Sequence, residues 1–201
     1  MMKHKISLNK VFPYILAIAG LIGLVASLIL SYDTLSIAHN ASYVPACNLN
    51  PVISCGSVIN AKGDSIFGLP YPFYGIAAFA VLLSSGIGML AQAKYNKLYW
   101  RAFLAAISLG LVGAYALLLK SVYSIHALCP YCLTVDFVTT VTFWYGWLYC
   151  LDNKIVVWKR FGLAKCYVWA RRHHLDILVA WVVLVVAFLL HHFWYYYGKH
   201  L

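Results

Sequence analysis

Cys129-Pro130-Tyr131-Cys132 opens an apolar run, Leu133 to Leu151, that is long enough to cross a bilayer. Two thiols two residues apart at a helix start have the geometry of a dithiol/disulfide couple. The amide groups and dipole of a helix start stabilise a thiolate, the reactive form of the pair. The stretch therefore predicts a redox pair placed at the end of a membrane helix, able to pass electrons between a protein dithiol and a lipid-soluble acceptor.

Working outward, the whole chain has the composition of a membrane protein. Of its 201 residues 64% are hydrophobic and 10% charged, where a soluble domain carries about 25% charged residues. There is no Glu, and five Asp stand against fifteen Lys and Arg. A net charge of +10 can mark a nucleic-acid binder, but such proteins are rich in charge and this one is poor in it. Five continuous apolar runs are expected to span, at about residues 11–30, 72–91, 98–119, 129–151 and 175–194. They do not alternate as barrel strands do. The expected architecture is an all-α integral membrane protein in one domain, residues 1–201. The first run exceeds the usual apolar core of a signal peptide, and Val44-Pro45-Ala46-Cys47 lies too far beyond it to be a lipoprotein cleavage site, so that helix is expected to be retained.

Lys and Arg set the expected orientation. Twelve fall before the first run, between the second and third (with Arg101 just inside the third), and between the fourth and fifth; three, Lys62, Lys120 and Lys199, fall on the opposite side. Basic loops stay in the cytoplasm. The N-terminus is expected inside, and the C-terminus outside a cell or inner membrane. His173 and His174 fall in the basic inner loop, and the aromatic run Phe193 to Tyr197 reads as an outer interface belt with His191, His192 and His200.

This sidedness sorts the six cysteines. Cys47, Cys55, Cys129 and Cys132 are expected on the outer side, where disulfides persist, and Cys150 and Cys166 on the inner side, where they do not. Four outer thiols permit a two-pair relay by thiol–disulfide exchange. The loop pair can meet a water-soluble partner, and the helix pair, with Cys132 one turn deeper, a bilayer-dissolved one. Two structural disulfides are the plain alternative, although so short a loop as Cys129–Cys132 adds little stability. Zinc is a third, for which Cys47-x7-Cys55 is a poor half-site. Asp136, one turn after Cys132, is an acidic residue in the interior half of a predicted span, and such carboxylates are functional candidates. His126 is a candidate for helping Cys129 ionise.

Cys47-x7-Cys55, Ser65-Ile66-Phe67-Gly68-Leu69-Pro70 and Cys129-Pro130-Tyr131-Cys132, in this order and on this side, resemble the vitamin K epoxide reductase family over roughly residues 10–150. The fifth helix is similar to bacterial and archaeal members, some of which continue into a thioredoxin-like domain that this chain is expected to lack. The resemblance implies a four-helix bundle around a quinone, with the fifth helix packed outside. It implies that Cys132 is the quinone-reactive thiolate, Cys129 its resolving partner, and Cys47 and Cys55 the shuttle pair. Which of that pair meets the partner and which meets Cys129 stays open, the eight-residue offset, similar to the animal enzymes, favouring Cys55–Cys129 as the transient bridge. Asp64 and Phe67, in a segment similar to the animal Asn-Ser-Ile-Phe-Gly, join Tyr131 and Asp136 as candidate quinone contacts.

Two departures bear on this. Ala61 stands where many members carry Ser or Thr, and Asp136 where animal enzymes carry Tyr. They bear on quinone type and on epoxide activity, and leave disulfide-generating chemistry intact. The expected function is a quinone-dependent thiol oxidase. It would take electrons from a DsbA-like thioredoxin-fold protein in trans and pass them to ubiquinone or menaquinone. A DsbB-type oxidase carries its CxxC in the first outer loop, an order that does not fit. A vitamin K epoxide or quinone reductase, and a non-enzymatic assembly subunit with bracing disulfides, are the other readings.

Overall fold

A computed structural model describes residues 8–40, 42–61, 65–66, 68–155 and 169–194. The helices are α1 (Leu8–His39), α2 (Cys55–Ile59), α3 (Tyr71–Leu90), α4 (Lys97–Lys120), α5 (Pro130–Asp152) and α6 (His174–His192). Two two-residue strands, β1 (Ser65–Ile66) and β2 (Leu69–Pro70), pair antiparallel just before α3. The protein is an all-α multi-pass membrane protein. Among the described residues α1, α3, α4 with the turn that follows it, and α6 are long and apolar enough to cross a bilayer. Thr134, Asp136, Thr139, Thr140 and Thr142 make α5 less apolar. It is 23 residues long, about 34 Å at the usual helical rise, and packs on α1 and α4.

Close helix packing sets the relative heights. A Cβ on Gly86 of α3 would lie 2.5 Å from the Ala17 amide of α1, and one on Gly75 would lie 2.5 Å from Ser27 Oγ. Glycine lets the two backbones approach at both places, as small residues do between membrane helices. The two contacts give an antiparallel register in which Tyr71, the first residue of α3, is level with Ser31. Residues 32–39 of α1 therefore project past α3 by eight residues, about 12 Å. The sequence places the end of this helix near Leu30. The structure carries it to His39, because nothing in residues 31–39 breaks a helix although the apolar run has ended. Thr34 Oγ1 donates to Leu30 O across this boundary (2.7 Å), and Tyr43 OH donates to Asp33 (3.0 Å). Asp33 is thus a second buried acid, but it lies in the projecting part.

The main core occupies the opposite half of the bundle. Phe12 and Leu16 of α1, Phe79 and Leu82 of α3, Trp100 and Phe103 of α4, and Val138 and Leu148 of α5 form one cluster. Cys150 is buried within it; Cys166 lies outside the described residues. Arg101 Nε donates to Ile155 O (3.1 Å), so its side chain is held by the chain that follows α5.

α6 has no buried residue of its own and is joined to the bundle at points along its length. Trp144 Nε1 donates to His174 O (3.2 Å), and Tyr145 OH lies 3.1 Å from His174 Nδ1. His174 is therefore a packing residue rather than a loop charge. Trp181 Nε1 donates to Tyr115 OH (2.7 Å). Phe193 is buried with Val52, Leu118, Val122 and Leu128 and so is not part of an interfacial belt. Residues 195–201, with the tail tyrosines and His200, lie outside the described residues.

Candidate active site

The site begins with a loop that asparagines hold. Asn50 Oδ1 accepts from the amides of Val52 (3.0 Å) and Ile53 (2.7 Å), closing a turn at Pro51. Asn48 Oδ1 accepts from the Gly56 amide (2.9 Å) and from Ser54 Oγ (3.2 Å). Ser54 caps α2, its Oγ accepting from the Ser57 amide (3.2 Å). The loop is then zipped to the residue before the CxxC. Leu128 N donates to Val52 O (2.7 Å) and Ser54 N donates to Leu128 O (3.0 Å), a single parallel bridge between Ile53 and Leu128.

That bridge brings the two cysteine pairs together. Cys47 and Cys55 are joined in a disulfide. Cys129 Sγ lies 3.3 Å from Cys55 Sγ, and the Cys132 amide donates to Cys129 Sγ (3.4 Å). Cys129 is the N-cap of α5, and Pro130 occupies the first turn, where its missing N–H costs nothing. Cys55 is fully buried and Cys129 nearly so, while Cys47 keeps 7% of its surface.

Beneath the cysteines lies a cavity of about 160 Å³ between α1, α3, α4 and α5. Its walls are mostly apolar, including Leu30, Leu117, Leu118, Leu133 and Val135, with Gly75 leaving room on α3. Cys132 and Asp136, one turn apart on α5, both line it, as do Lys120 and Ser121. Lys120 and Ser121 stand where α4 passes into a single π turn, Ser121–Ile125. Such turns often mark functional sites.

A model of the vitamin K epoxide reductase family matches residues 14–147. The chain belongs to the vitamin K epoxide reductase family. No curated protein is significantly similar to it. The family match covers α1 to α5 and stops before α6. It makes the protein an oxidoreductase of a membrane family linked in general to disulfide and quinone chemistry.

The structure brings Cys47, Cys55, Cys129 and Cys132 into one cluster and puts Asp136, buried, in the wall of the cavity. Tyr131 packs against the cysteine cluster and does not line the cavity, because the first turn of α5 points it toward the loop. Asp64 and Phe67 lie outside the described residues. His126 adopts a left-handed turn (φ 57°) and its ring stacks 6.2 Å from that of His192. His126 thus meets α6 through His192. Asn48, Lys120 and Ser121 were not singled out from the sequence. The π turn leaves no local pattern, and a loop Asn is ordinary until its acceptor is seen between two segments.

Proposed function

We propose that this family member is a quinone-dependent thiol oxidase, taking electrons from a thioredoxin-fold dithiol protein of the DsbA kind. The observation that supports it most is the 3.3 Å contact of Cys129 Sγ with Cys55 Sγ, beside a Cys47–Cys55 disulfide. A disulfide that only braced a loop would need no thiol at its sulfur.

The exchange proceeds in balanced steps. A partner thiolate attacks Cys47 Sγ, the more exposed sulfur, and Cys55 leaves as thiolate. The partner's second thiol closes its own disulfide and releases Cys47. With Cys129 and Cys132 joined as a disulfide, Cys55 attacks Cys129 Sγ and Cys132 leaves. Cys47 then attacks Cys55, restoring the loop disulfide and freeing Cys129. Two electrons and two protons have then moved from the partner to the helix pair.

The cavity fits a quinone by its donor set and its walls: apolar sides for a ring and tail, a thiol at Cys132, and a carboxyl at Asp136. A bound ubiquinone or menaquinone supplies an acceptor for two electrons and two protons as the Cys129–Cys132 disulfide re-forms. Cys132 is the thiolate in the cavity, and Asp136 the acid that can provide a proton there. The distribution of basic residues supports a cytoplasmic N-terminus, cysteines on the outer face of the membrane and five crossings.

The test is quinone reduction by the purified full chain with reduced DsbA as donor. Cys132→Ser should abolish it while the loop disulfide still forms. Continued quinone reduction by that variant would refute the assignment.

A further inference from the structure

The projecting end of α1 and the loop after it form a cap over the cysteines, and this cap exposes large apolar side chains. Val44 is 68% exposed and Leu49 71%. They stand three residues before and two residues after Cys47, hence within about 10 Å of it along the chain. Tyr32 and Leu35 on the projecting turns of α1 are exposed as well, and the Tyr32 ring meets Tyr43 edge-on at 6.5 Å.

A lipid contact does not account for them. Leu30 packs with Cys47, Cys55 and Cys129, and α3 begins level with Ser31, so residues from Tyr32 onward stand beyond the start of α3. Residues 42–54 are irregular backbone, which lipid does not tolerate on an exposed surface. Exposed apolar side chains gathered on a water-facing surface mark a site of association, and here Val44 and Leu49 flank Cys47, the less buried half of the loop disulfide.

We infer that Val44 and Leu49, with Tyr32 and Leu35, are the docking surface for a dithiol protein whose reactive cysteine is rimmed by apolar side chains, and that this surface makes the chain prefer protein dithiols to small ones. The inference rests on the oxidase reading and names what selects the electron donor. Docking lays the partner's thiolate on Cys47 Sγ. The partner–Cys47 bond forms as Cys47–Cys55 breaks, the electron pair leaves on Cys55, and the partner's second thiol then closes its own disulfide. The partner is oxidised by two electrons and the loop pair is reduced by two. A small dithiol performs the same exchange without the apolar contact.

The experiment compares the full chain with a Val44→Asp/Leu49→Asp variant in bilayer nanodiscs, using reduced DsbA and dithiothreitol as alternative donors for quinone reduction. Both positions are on the surface, and a Val44→Ile/Leu49→Met variant controls for the substitution itself. Each side chain withdraws apolar surface from water on docking. The aspartates should therefore raise KM for DsbA at least about tenfold, leaving its kcat and the dithiothreitol rate unchanged, and the conservative variant should behave as wild type. An unchanged KM for DsbA, or equal loss with both donors, would overturn the inference. Failure of the unaltered chain to reduce quinone with either donor would overturn the oxidase reading itself, a different result.

Discussion

Ile53 pairs with Leu128 across a single parallel bridge, and that pairing sets the distance between two sulfurs far apart in sequence. The bridge consists of two backbone hydrogen bonds of 2.7 and 3.0 Å. Cys55 follows one side of it by two residues and Cys129 follows the other by one. The contact at 3.3 Å is a consequence of this register, and a slip on either side would separate the thiols.

The contact predicts a specific cross-link. In a Cys47→Ser/Cys132→Ser variant the two remaining outer thiols are Cys55 and Cys129, and mild oxidation should join them. Peptide mass spectrometry under non-reducing conditions checks this. Recovery of both cysteines as alkylated monomers would contradict the geometry.

Asp136 lines the cavity one turn from Cys132. If it supplies a proton there, Asp136→Asn should slow quinone reduction by about 10²-fold or more. Exchange between the loop and helix pairs, followed by alkylation state, should be untouched. Loss of both activities together would make Asp136 a structural residue.

Asn48 joins three parts of the loop through one oxygen. Asn48→Ala leaves the Gly56 amide without that acceptor, at a cost of about 1–3 kcal/mol. Hydrogen exchange at Gly56 should accelerate, and the exchange between Cys55 and Cys129 should slow with it. An unchanged Gly56 amide would mean that another acceptor replaces Asn48.

The α1–α3 contact predicts a contrast between glycines. Gly86→Val drives a side chain into the backbone at Ala17, whereas a Cβ at Gly110 meets nothing within 4 Å. Overpacking of this kind costs about 1–3 kcal/mol or more. Thermal unfolding in detergent should fall for Gly86→Val and hold for Gly110→Ala.

Much of this protein was legible in its residues because the membrane imposes strict one-dimensional rules. About 20 apolar residues make a span, and the runs ending at Leu119 and Leu151 stop within a residue of α4 and α5. The rule fails where a helix leaves the bilayer, as α1 does after Leu30, since hydropathy reports the solvent and not the helix. Phe193, expected in an interface belt, is buried for a related reason. An aromatic or histidine near a helix end fits an interface and a packing contact equally well in composition.

The residues alone determined that this is a multi-pass helical protein with a CxxC at a helix start and a second cysteine pair in the loop that follows the first span. Spacing along one chain carries that information, because helix starts and spans are local. Only the tertiary structure decided that Cys55, rather than Cys47, meets Cys129, that Cys47 keeps the remaining exposure, and that Cys132 and Asp136 share a cavity with Lys120. Those relations depend on which backbone amides of two distant segments bond to each other. The sequences around Ile53 and Leu128 state that each can extend, and only their hydrogen-bonded register says where each sulfur comes to rest.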